Sequence, residues 1–138
     1  MAGFKYAFRE SGGTPTVIKL LSKDSETLTR GDIANLESGE IDLGATRDDN
    51  LLGVIQETRV GVDSTTRFEV IVDEDAVYSV VDNNARRVGD TLDIAGSTGA
   101  QGVTTSSNKE FVVARESSAT ELTLVRINAD AHAFRKAQ

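Results

Sequence analysis

The sequence predicts an all-β protein, a small antiparallel barrel or sandwich with an extended N-terminal arm. Three observations predict it. Residues 51–82, LLGVIQETRVGVDSTTRFEVIVDEDAVYSVVD, alternate apolar and polar side chains with a period of two. Short polar or glycine-containing breaks recur along the chain. No segment keeps a helical period over three turns. The 138 residues suit one domain, divided into an arm at 1–15, a body at 16–127 and a tail at 128–138. A chain near this length buries roughly two-thirds of its unfolded surface, so it needs no covalent staple.

In the arm, MAGFKYAFRESGGTP, the rings of Phe4, Tyr6 and Phe8 alternate with Lys5, Ala7 and Arg9. An extended backbone would put all three rings on one side. Exposed rings need cover, and two covers stay open: its own sheet, as an edge strand, or another subunit. Phe4, Lys5, Tyr6, Phe8 and Arg9 are the candidate partner-binding residues.

The body then reads as eight or nine short strands. Thr16–Leu21 is one, and Ile33–Leu36 follows a turn at Gly31-Asp32. That turn contains Arg30-Gly31-Asp32, an adhesion tripeptide better explained here as turn chemistry. Glu37-Ser38-Gly39 turns the chain into Glu40–Leu43, and a charged loop, Thr46–Asn50, leads onward. Leu51–Val62, Arg67–Val72 and Ala76–Val81 make the central three strands, the last apolar on both faces. Their short polar connections, 63–66 and Asp73-Glu74-Asp75, favour antiparallel neighbours. After the turn Asp82-Asn83-Asn84 comes Arg86-Arg87, the one paired basic site of the body, read as solvated. Val88–Ile94 gives a turn and a strand. Residues 95–108, AGSTGAQGVTTSSN, read as a mobile hairpin loop; three glycines there lack the Lys and the strand-to-helix setting of a phosphate loop. Glu110–Arg115 and Glu121–Ile127 close a last hairpin, with Phe111, Val113, Leu122, Leu124, Val125 and Ile127 as core candidates. The tail holds the only histidine, His132, beside Phe134, on a single helical turn or a loose end.

Composition excludes several functions. The absence of cysteine rules out disulfides and thiolate metal sites. One histidine cannot build a zinc site without carboxylates, and nothing in the sequence orients it for a Ser–His–Asp triad. Acidic residues abound, but no Asp-x-Asp-x-Asp-Gly frame marks a calcium loop. Phe68, Tyr78 and Phe111 sit in strand patterns that bury them, which leaves no aromatic platform in the body. The reading is of no enzyme and no cofactor. A net charge of −7 argues against general nucleic-acid binding. That charge divides into +1 on 1–15, +1 on 128–138 and −9 between them, so the basic ends could dock on an acidic body. No apolar run approaches the ~20 residues of a membrane span, and the N-terminus lacks a signal peptide's apolar middle, so cytoplasmic synthesis is expected.

The order of features resembles the small β-rich decoration, or cement, proteins of tailed bacteriophage heads. The similar elements are Thr29-Arg30-Gly31-Asp32, Leu51–Val54, Val70–Val72, Ala76–Tyr78, Gly89-Asp90 and the close Leu124–Asn128. The resemblance implies a virion protein that binds the major capsid protein outside an expanded head, often as a trimer, and stabilises the shell, with residues 1–15 as a reaching arm. It would be made in the host bacterial cytoplasm and end on the head surface, with no membrane or nucleic-acid partner. A tail-tube or head–tail joining subunit, with 95–108 as an insertion loop, and a soluble ligand-binding domain are the alternatives.

Overall fold

The computed structural model describes residues 3–23, 26–46, 48, 50–58, 66–105 and 108–136. Eleven strands form two sheets among them. They are β1 (Lys5–Arg9), β2 (Val17–Ser22), β3 (Ile33–Glu37), β4 (Glu40–Leu43), β5 (Leu51–Val54), β6 (Arg67–Ile71), β7 (Ala76–Val80), β8 (Thr91–Ala95), β9 (Gly102–Thr105), β10 (Phe111–Arg115) and β11 (Thr123–Ile127). The six-stranded sheet runs β1-β7-β11-β10-β8-β9 and the five-stranded sheet β5-β3-β4-β2-β6. The architecture is a sandwich rather than a closed barrel.

Three expectations change here. The five-stranded sheet is mixed, because β2 lies parallel to β4, with Leu21 opposite Glu40. The connection at 73–75 is no hairpin either: it carries the chain from β6 in one sheet to β7 in the other. A hairpin and an inter-sheet corner need the same short polar residues, so composition does not separate them. The expected strand at 51–62 is shorter. It ends at Val54, with Ile55 making one further bridge to Val70, and 59–65 lie outside the described residues.

Each sheet buries the face that its alternation marks. The first apolar cluster fills the space between the sheets, with Tyr78, Val80, Phe111, Val113, Val125 and Ile127 from one and Ile33, Leu51 and Ile71 from the other. The five-stranded sheet also curls around a second cluster that includes Ala34, Ile41, Leu52, Phe68 and Val70. The bridge Ile55–Val70 brings its first and last strands together. Both faces of that sheet are therefore occupied, which explains its continuous apolar run at Leu51–Ile55. Phe68, Tyr78 and Phe111 are fully buried as their pattern predicts. Leu122 is not a core residue: it precedes β11 and is 53% exposed.

Residues 95–105 are built into the sandwich rather than forming a mobile loop; 106–107 lie outside the described residues. Gly102–Thr105 is strand β9, paired with β8. The turn before it is tied across the sandwich. Buried Gln101 accepts from Ile33 N (2.7 Å) and donates to the Gly44 carbonyl (2.7 Å). Gly99 N donates to Oδ1 of buried Asp32 (2.9 Å). The loop thus holds a carboxylate of its own chain, and that carboxylate is the aspartate of Arg30-Gly31-Asp32, sealed from any outside receptor.

Candidate interaction surface

The aromatic segment lies on its own sheet. β1 pairs with β7 as an edge strand, Tyr6 opposite Tyr78 and Phe8 opposite Val77. The register slips between these pairs, so Ala7 is an extra, bulged residue. The bulge corrects the expectation that all three rings share a side. Phe4 is 1% exposed and stacks on Phe111 at 5.1 Å between ring centroids. Tyr6 packs edge-on against Tyr78 at 6.5 Å. Phe8, past the bulge, matches Val77 on the outer face.

That outer face gathers cationic side chains around an aromatic ring. The Arg115 guanidinium sits 5.1 Å from the Phe8 ring centroid and holds Glu10 through two bonds, 2.7 and 3.0 Å. The hydrogen bond from Arg115 keeps the Glu10 carboxyl below its usual range. Arg126, opposite Val112, and Leu124, opposite Ser79 and Arg115, continue the face across β11. Lys5, opposite Ser79, marks its corner. Three cations, one carboxylate and a half-buried ring therefore share one surface of a chain whose net charge is −7.

Around the corner from this face, a groove of about 610 Å³ runs along β1. Phe4, Tyr6, Val54 and Ile55 line it, with Lys5 and Arg30 among its walls. Main-chain bonds fix those walls: Phe4 N donates to Gly31 O (2.9 Å) and Gly31 N to Ile55 O (3.0 Å).

At the far end of β1 the basic segment docks on the acidic body, as the charge division suggests. Arg9 Nε lies 3.0 Å from Asp75 Oδ1, and its Nη1 lies 3.6 Å from Asp73. Ser11 donates to Asp75 through its backbone N–H (3.0 Å) and its hydroxyl. Burial alone would raise the Asp75 carboxyl, but these donors hold it down at about 2. Arg86 is not the solvated cation expected. It grips Asp82 through Nε and Nη2 at 2.5 and 3.1 Å. Arg87 remains exposed.

The tail folds as a 3₁₀ turn, Ala129–Ala131, and one helical turn, α1 (Ala133–Lys136). His132 between them is 1% exposed and bridges to Leu51 of β5. Its Nδ1 accepts from Phe134 N at 3.2 Å, and Nε2 is buried without a well-formed hydrogen bond. Burial lowers its pKa; Glu74, Asp73 and the Leu52 and Val72 carbonyls oppose that in part. The folded state therefore disfavours the proton that an unfolded histidine accepts near pH 6.5. Stability is complete above that pH and falls as the pH drops toward the folded value, by at most about 1.4 kcal/mol per unit. Urea unfolding at pH 7.5, 6.5 and 5.5 is expected to show this loss in the native chain. His132→Asn should flatten it, since no other histidine titrates in that window.

The fold and surface define an open two-sheet β-sandwich whose larger sheet ends in an aromatic and cationic face. No protein-family model matches the chain, and no curated protein matches it. Among solved structures it is similar to the N-terminal base of the head fibre gp8.5 of bacteriophage phi29. Identity is 17% and the TM-score 0.45, over 82% of this chain and 95% of that one. At that TM-score the likeness assigns no role.

Proposed function

We propose that this chain is a structural protein of a bacteriophage virion that docks on the major capsid protein outside an expanded head and stabilises the shell. The observation that supports this reading is the outer face of the six-stranded sheet, where Phe8, Arg115 and Arg126 gather on an otherwise acidic molecule. Aromatic and arginine side chains are the anchors of most protein interfaces, and a local cationic face selects an acidic partner surface. Among the five residues expected to bind a partner, Lys5 and Phe8 would make contact. Phe4, stacked on Phe111, and Arg9, paired with Asp75, would hold the strand in place. Many copies on one shell make weak individual contacts sufficient, and self-association, as a trimer, would add to them. The role needs no catalysis and no cofactor.

Co-sedimentation with expanded, undecorated heads tests the proposal. The native chain should saturate at a fixed number of copies per capsid subunit. Phe8→Ala and the pair Arg115→Glu with Arg126→Glu should each weaken binding at least about tenfold, or about 1.4 kcal/mol, while urea unfolding confirms that they fold. Absence of binding by the native chain overturns the role, and full binding by both variants overturns the face. The joining-subunit alternative placed its insertion loop at 95–108; β9 and the ties to Asp32 use much of that segment inside the fold.

A further inference from the structure

We propose that the groove beside β1 receives an extended strand of a partner protein, with apolar side chains facing inward and carboxylates beside them. Three independent observations lead there. The first is the edge itself. β1 ends the six-stranded sheet and pairs with β7 on one side only, so its second row of main-chain donors and acceptors can accept another strand. The end strands of the five-stranded sheet do not offer this as freely, because Ile55–Val70 and Leu51–His132 already bridge them. The second is shape. The groove of about 610 Å³ falls within the roughly 300–1,000 Å³ of ligand sites; nearly buried Phe4, Val54 and Ile55 form its floor, the half-buried ring of Tyr6 is its accessible apolar wall, and Gln56 joins Lys5 and Arg30 among its polar walls. The bonds Phe4–Gly31 and Gly31–Ile55 hold its walls in position before any partner arrives, which reduces the ordering cost of binding. The third is charge. Lys5 and Arg30 line the groove, and neither forms an ion pair with a described residue, whereas Arg9, Lys23, Arg86 and Arg115 all do.

An added strand alternates its side chains. Those turned into the groove meet the ring of Tyr6 over an apolar floor, and carboxylates along the same strand come within reach of Lys5 and Arg30. The occupant is therefore an alternating apolar and acidic segment. That it belongs to the capsid protein rests on the proposed function; the groove's preference does not.

The test is selection from a displayed library of random ten-residue peptides with the full chain as bait. Enrichment of alternating apolar and acidic sequences is expected. The variant carrying Lys5→Glu and Arg30→Glu should bind the winning peptides at least tenfold more weakly, with its urea unfolding unchanged. Hydrogen exchange should show the peptide protecting amides of β1. No enrichment over bait-free beads overturns the proposal, as does equal binding by the variant or protection confined to other strands. Peptide binding by a chain that fails to bind heads would keep the groove and remove the virion role. Head binding without peptide enrichment would do the reverse.

Discussion

Gly53→Ala is expected to cost about 3 kcal/mol of stability or more, the upper end of what overpacking does to a core. Gly102→Ala should change stability by less than about 0.5 kcal/mol. Gly53 lies in β5, opposite Ala34 of β3. A Cβ at this position would collide with the Ile71 carbonyl oxygen and the Tyr78 hydroxyl. Neither obstacle can yield cheaply. Ile71 is main chain, held opposite Val17 in the ladder between β2 and β6. Tyr78 is fully buried in β7, flanked by β1 and β11, with Tyr6 against its ring. Conformational freedom is not the issue, because Gly53 does not adopt a positive φ; the space is simply taken. Gly102, at the start of β9, has no atom within 4 Å of the same added carbon. Urea midpoints of the two variants, measured side by side, check the contrast. Equal midpoints would show that the sheets do not approach as closely as this.

The strands were legible where one face of a sheet meets the core. Arg67–Ile71 shows buried Phe68 and Val70 against exposed Arg67 and Glu69, as its alternation reads. Ala76–Val80 was legible for the opposite reason: its outer residue Val77 is fully buried, so both faces are apolar. What the sequence hides is pairing. Nothing in VIKLLS tells that β2 runs parallel to β4, since register between distant strands is set by tertiary packing. The bulge at Ala7 leaves no mark either, yet it turns Phe8 from the core to the outer face and creates the candidate surface. Gly102–Thr105 reads as loop because glycines and small polar residues crowd it, although Thr and Val suit a strand edge. The partner of Arg86 was missed although it is only four residues away. The turn at Asp82-Asn83-Asn84 brings the carboxylate of Asp82 back against it, which the reading of Arg86-Arg87 as a solvated pair does not foresee.

Asp32→Ala is the second large effect, an expected loss of about 3–5 kcal/mol, more than any exposed turn residue would give. The carboxylate is wholly buried. Its Oδ2 accepts from Thr29 N (2.8 Å) and Thr98 Oγ1 (2.5 Å), and its Oδ1 from Gly99 N (2.9 Å). Alanine removes the acceptor for all three donors at once, and a hydrogen bond to a charged group is worth about 1.5–3 kcal/mol; the half-buried Thr29 N and Thr98 hydroxyl lose most, while the exposed Gly99 N can turn to water. Asp32→Asn should fall between the native chain and alanine, because its amide keeps one acceptor oxygen but turns a second donor toward the others. Thr98→Ala removes one donor and should cost about 1 kcal/mol. Since Asp32 and Thr98 are bonded to each other, the double variant should lose less than the two single losses combined. A urea series on all four variants reads this coupling. If Asp32→Ala speeds exchange of the Gly99 amide while the unfolding midpoint stays native, the carboxylate only tethers the loop. If the midpoint falls as expected, the turn that joins the two sheets is part of the cooperative core, and the adhesion-like tripeptide owes its sequence to folding.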